Sequence, residues 1–185
     1  MKHLILLSFC AAVLSSCTAS SRVFLTLETK QRIEKANIPL NKVQFYNSED
    51  IILLRQLANE DVVLDRGRIK IQNGKEVEEI IIPAFTPGVC EMCDDKAFLI
   101  SFEAGDGKEI PFVVEERSGQ AIKTSRFRLA ATEHESTNGN SKVGKINYDG
   151  KIYTITTGIY SHLMIEKTVL KGENRSTSVA KGKKP

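Results

Sequence analysis

The sequence predicts a mostly β chain: a single antiparallel β-sandwich or barrel-like domain with one short N-terminal helix. Three observations predict it. Apolar runs of strand length recur about every ten residues between positions 43 and 170. Turn signals separate them, namely Asn73-Gly74, Gly105-Asp106-Gly107 and Asp149-Gly150. Around the last of these, residues 145–155 alternate as a half-buried hairpin does. No repeat of about 20 to 50 residues is visible, which excludes a propeller or solenoid.

The first seventeen residues, MKHLILLSFCAAVLSSC, stand apart from the rest. Lys2 and His3 form a short polar start, and Leu4 to Val13 is apolar apart from Ser8. That run is too short for a hydrocarbon core that needs about 20 residues. The basic start, the short apolar region and the small residues after it mark a secretory signal over 1–16.

The residues Leu14-Ser15-Ser16-Cys17 are an aliphatic residue, two small ones and a cysteine. This run resembles the lipobox of bacterial lipoproteins. The resemblance implies that the Cys17 thiol is diacylated, that cleavage falls just before it, and that the new amino terminus is acylated too. Several acyl chains, at about 0.8 kcal/mol per buried methylene, anchor stably where one binds marginally. Thr18 stands where an Asp would resemble the inner-membrane retention signal of enteric bacteria. Residues 19–22 lack the acidic cluster that resembles a surface-export signal. The resemblance therefore implies a protein lipid-anchored at the outer membrane, on its periplasmic face.

Residues 17–25 are then a lipidated tether, 26–170 the β-domain and 171–185 a disordered basic tail. Within the tail five basic residues face Glu173 alone, and its Gly, Ser and Lys content cannot build a core. Residues 27–36 read as a helix: Thr26 can cap its orphan amides, Glu28 sits in the first turn, and Asn37 and Pro39 end it. Its apolar stripe is thin, carried by Leu27 and Ile33, which predicts a surface helix. Strand signals follow at 43–46, 51–57, 69–71, 77–82, 96–102, 109–114, 145–148, 151–155 and 162–170, although 51–57 also reads as a helical turn. Two zones, 83–95 and 118–141, break the pattern and read as loops. In the hairpin at Asp149-Gly150, alternation puts Ile146, Tyr148, Lys151, Tyr153 and Ile155 on one side. Asn147, Ile152 and Thr154 take the other. The first side is the more apolar and should face the core, with Lys151 snorkelling outward at the rim.

Composition narrows the function. Loss of Lys2 with the signal takes the formal charge from +3 to +2, too small a balance for a nucleic-acid binder. Tryptophan is absent and aromatics make up 6%, which counts against a sugar-binding platform. With Cys10 removed and Cys17 lipidated, Cys90 and Cys93 are the remaining thiols. In an oxidising compartment they are expected to form a disulfide.

Other chemistry at Cys90-Glu91-Met92-Cys93 is less favoured. Redox work needs a depressed thiol pKa, yet Glu91, Asp94 and Asp95 surround the pair with carboxylates, and no βαβ pattern frames it. A metal would need two more ligands, and His134 and His162 are not spaced as a zinc pair. His162 reads as packed or surface, His134 as solvated. No G-x-S-x-G occurs, Asp106 reads as a plain hairpin turn, and Glu78-Glu79 and Glu115-Glu116 are expected to meet solvent. The expectation is no catalytic residue, no metal and no cofactor. The expected function is that of a non-enzymatic structural or accessory subunit of an envelope protein assembly, with envelope protein partners and no nucleic acid. The alternatives are a small-ligand-binding lipoprotein and a CxxC thiol-disulfide protein.

Overall fold

The computed structural model describes residues 21–57, 69–72, 75–115, 122–135 and 142–171. The signal segment, Cys17, the Asn73-Gly74 turn, residues 118–121 and 136–141 of the 118–141 zone and the tail beyond Lys171 lie outside them. Thirteen strands are defined among the described residues: β1 (Arg22–Phe24), β2 (Phe45–Asn47), β3 (Ile51–Gln56), β4 (Ile69–Gln72), β5 (Lys75–Ile82), β6 (Pro87–Cys93), β7 (Ala97–Ser101), β8 (Glu109–Val114), β9 (Phe127–Leu129), β10 (Thr132–Glu135), β11 (Lys142–Tyr148), β12 (Lys151–Thr157) and β13 (Leu163–Glu166). Two helices accompany them, α1 (Leu27–Lys35) and α2 (Lys167–Lys171).

The strands form two antiparallel sheets. One runs β1-β13-β2-β6-β7-β8-β9 and the other β10-β11-β12-β3-β5-β4. The chain is not a closed barrel. The second sheet ends in edge strands β10 and β4. The first curls so that, among the described residues, its two edges are bridged at Thr26–Arg126 and Arg128–His162. Alternation explains the shared core: Phe45, Phe98, Ile100, Ile110 and Phe112 come from the first sheet, and Ile51, Leu53, Ile80, Tyr148, Tyr153 and Ile155 from the second. The rings of Phe45, Phe98 and Phe127 stack edge to face, with centroids 5.5 and 4.7 Å apart, the arrangement their quadrupoles prefer.

The β11–β12 hairpin forms as its alternation requires. Tyr148 pairs with Lys151, Asn147 with Ile152 and Ile146 with Tyr153. Asp149 and Gly150 both have positive φ, 53° and 70°, the geometry of a two-residue type I′ turn. Ile146, Tyr148, Tyr153 and Ile155 are buried, while Ile152 is 57% exposed. The β7–β8 hairpin also forms, and the two meet: Gly107 O accepts from Asp149 N at 2.6 Å.

Several segments differ from the sequence expectation. β1 occupies residues within the expected tether 17–25, because Val23 and Phe24 pair with Ile165 and Met164 of β13. β6 occupies the expected loop 83–95, and β9 and β10 lie within the expected loop 118–141, where Phe127 and Leu129 pair with β8 and Thr132 to Glu135 with β11. The expected strand 162–170 ends at Glu166, and its last turns are α2. In α1 the Thr26 side chain accepts from Thr29 N while Thr29 returns a bond to the Thr26 backbone, closing a capping box. Lys30 of this helix is buried, and its Nζ donates to Glu34 at 2.6 Å and to Asp95 at 3.1 Å. Burial works against that charge, but the two carboxylates outweigh it and hold the ammonium pKa above its usual value.

Candidate functional site

Cys90 and Cys93 are joined by a disulfide within β6, with Cα atoms 6.1 Å apart. Residues three apart on a regular strand point to opposite faces. Here the register shifts between Cys90 and Met92, so Glu91 is the extra residue of a β-bulge. Cys90 then faces Ile100 and Cys93 faces Phe98, which puts both sulfurs on the core side. Cys90 is buried and Cys93 half-buried. A cleft of about 550 Å³ opens beside them, lined by Glu34, Ile38, Leu40 and Glu91. Disulfide exchange requires an attacking thiolate to reach a sulfur along the bond axis. Burial shields Cys90, and the neighbouring carboxylates repel an approaching thiolate.

A second cluster lies at the seam of the first sheet. His162 Nε2 stands 3.4 Å from Glu115 Oε2, and Arg128 Nε 4.0 Å from Glu115 Oε1. Phe24 meets the His162 ring edge-on with centroids 5.7 Å apart, and Arg126 lies over Phe24 at 3.9 Å. His162 is therefore a packed histidine. Glu115 departs from the expectation of solvent: its side chain is 15% exposed because the seam encloses it between a histidine and an arginine. Ser161 Oγ is buried and makes no hydrogen bond among the described residues.

The third cluster closes one end of the core. Arg55 donates to Glu78 Oε2 from Nε at 3.2 Å and Nη2 at 3.1 Å, and Lys151 Nζ approaches it at 3.7 Å. Glu78 also departs from the expectation, since alternation on β5 turns it inward beside Ile80. Burial alone would raise its pKa. The Tyr153 hydroxyl, Arg55 and the Lys151 charge overcome that and hold it below the usual carboxylate range. Burial and the Glu78 carboxylate push the Tyr153 phenol up to about 12.

Sequence reasoning missed a fourth feature, the corner at β5–β6. Asn47 is fully buried; its Nδ2 donates to Pro83 O at 2.8 Å and Glu49 O at 2.7 Å, and its Oδ1 accepts from Thr86 N at 2.9 Å. Phe85 N donates to Asn47 O at 2.9 Å, and Ala84 N to Asp50 Oδ1 at 2.6 Å. So held, Phe85 adopts φ 62°, a left-handed conformation rare for a bulky residue, and leaves its ring 47% exposed. The one available signal was an aromatic residue inside a short turn bounded by Pro83 and Pro87.

Among the described residues no group of three or more His, Cys, Asp and Glu side chains is placed to hold a metal ion, and no helix is long and apolar enough to cross a membrane. The His134 side chain lies outside the described residues. Asp106 sits in the β7–β8 hairpin turn, between Gly105 and Gly107, both with positive φ. Comparison with protein-family models, curated proteins and solved structures returns no match.

Proposed function

We propose that the chain is a lipid-anchored envelope protein of the outer membrane. It faces the periplasm and acts as a non-enzymatic structural or accessory subunit of an envelope protein assembly. Its two sheets are read as a sandwich, a rigid body that presents surfaces rather than enclosing a reaction. One observation carries the proposal: β1 starts five positions after the lipobox cysteine, since residues 18–21 alone separate Cys17 from it. Five backbone steps reach at most about 18 Å, so acylation at Cys17 would hold this body against the bilayer. A membrane-proximal position suits a subunit that docks on other envelope proteins. The charged clusters at Glu78 and Glu115 are consumed by contacts inside the fold, which supports the non-enzymatic reading. The space a ligand would take between the sheets is occupied by Phe45, Phe98, Phe112 and Tyr148.

Crosslinking in native membranes followed by affinity purification tests it. Recovery of defined envelope proteins is the expected result. Recovery of the chain with a bound small molecule and no protein would contradict it, as would a mixed disulfide trapped through Cys90 in a Cys93→Ala variant.

A further inference from the structure

We infer that the Phe85 corner is a membrane-contact surface, its ring seated in the bilayer interface beside the point where the chain leaves for its lipid anchor. The inference rests on the lipoprotein reading and adds the face with which the domain meets the membrane.

Position is the first argument. The Arg22 guanidinium, on the first residue of β1, lies 4.2 Å from the Tyr46 ring centroid and 5.2 Å from that of Phe85. Phe85 is thus packed against the residue that ends the five-step link to Cys17, and an acyl chain entering the bilayer there brings this corner with it. Construction is the second. Asn47 and Asp50 together bind the turn through four backbone groups, and the backbone at Phe85 tolerates a left-handed conformation. Strain of this kind persists where the surroundings over-determine it, and it clusters at functional positions such as ligand clamps. Here it holds a large apolar ring half in solvent.

Chemistry is the third argument. An aromatic ring beside arginine fits the headgroup level of a bilayer, where the ring lies among upper acyl segments and the cation among phosphates. Lys167 lies in the same neighbourhood, its N–H donating to Ser21 O at 2.8 Å and its side chain exposed. Tyr46 is already buried under Arg22, with its hydroxyl donating to Glu166 at 3.1 Å. At this corner Phe85 is the exposed ring.

The chain has no tryptophan, so Phe85→Trp in the full-length, membrane-extracted protein creates a unique reporter. Ile152→Trp supplies a second exposed site, near the β11–β12 turn and away from this corner. Each variant is reconstituted into phosphatidylethanolamine–phosphatidylglycerol vesicles containing lipids brominated near the headgroup, with acylation of residue 17 checked by mass spectrometry. The expected result is blue-shifted emission and quenching at position 85, with neither at 152. Acylated, vesicle-bound protein whose position 85 stays unquenched overturns this inference and leaves the lipid anchor standing. Protein that lacks acylation and stays in the aqueous phase overturns the reading beneath it. Phe85→Gly guards against misfolding. Glycine adopts the same φ freely, so its melting temperature should stay close to that of the unchanged protein. Its acylated form should remain membrane-bound, while trypsin cleaves at Arg22 faster because the corner no longer rests on lipid. An unchanged cleavage rate in vesicles also overturns the inference.

Discussion

Cys90 and Cys93 are three residues apart in sequence, yet they face Ile100 and Phe98, two residues apart on the neighbouring strand. The bulge at Glu91 accounts for the difference. It converts a spacing that would put the sulfurs on opposite faces of β6 into one that puts both on the core side. A disulfide inside so short a segment closes a tiny ring, so it restricts the unfolded chain little. Replacement of both cysteines by Ser should leave the fold intact and cost less than the roughly 3 kcal/mol associated with a 15-residue loop. Urea unfolding measures this, and loss of folding on reduction would contradict it. Alkylation after mild reduction should label half-buried Cys93 before buried Cys90.

Gly150 offers a cleaner test of backbone geometry. Its φ is 70°, and a Cβ added there would meet nothing within 4 Å. Any cost of Gly150→Val is therefore conformational, about 1–2 kcal/mol for a left-handed β-branched residue. Gly150→Asn should lose less, since asparagine visits that region more readily. Equal losses for Val and Asn would show that the turn is not what the substitution disturbs.

Tyr153 and Glu78 set a pH dependence at both ends of the scale. The phenol has its ordinary value of 10.0 raised to about 12 in the fold. Its contribution is fully present below pH 10 and is lost as pH rises toward 12. Glu78 is shifted the other way, below its ordinary 4.5. Its contribution is present above that value and is lost as pH falls through the depressed one. The stability difference between the unchanged protein and Tyr153→Phe should shrink between pH 10 and 12. The difference from Glu78→Gln should shrink on acidification below about pH 4.5. Denaturant midpoints across pH measure both, and flat differences would remove the cluster's role in stability.

Much of the fold was legible because alternation reports which face of a strand is buried. The β11–β12, β7–β8 and β4–β5 pairings follow from it directly. β6 was not legible, since Pro87-Gly88-Val89 reads as a loop. Pro87 is tolerated as the first residue of the strand. Gly88 is required by close approach: a Cβ there would stand 2.7 Å from Ile100 Cγ2 and 2.8 Å from a Phe102 ring carbon. Composition could not show this, because the partner side chains come from β7 and the residue after it. Glu78 and Glu115 were misplaced, and the burial of Lys30 was not foreseen, for a related reason. Charged residues are rarely buried unless paired, and their partners Arg55, His162 and Asp95 lie 23, 47 and 65 positions away. The Phe85 corner was invisible because its conformation depends on Asn47, a residue that reads only as part of a polar turn.

Acylation of Cys17 is the claim on which the placement of the whole domain depends. Tandem mass spectrometry of the N-terminal peptide, from protein extracted out of native membranes with detergent, tests it directly. The account predicts a peptide that begins at Cys17 and carries a diacylglyceryl thioether and an acylated amine. A mature chain that begins at Ser20 or Ser21 with no lipid, or one that keeps residues 1–16, would contradict it.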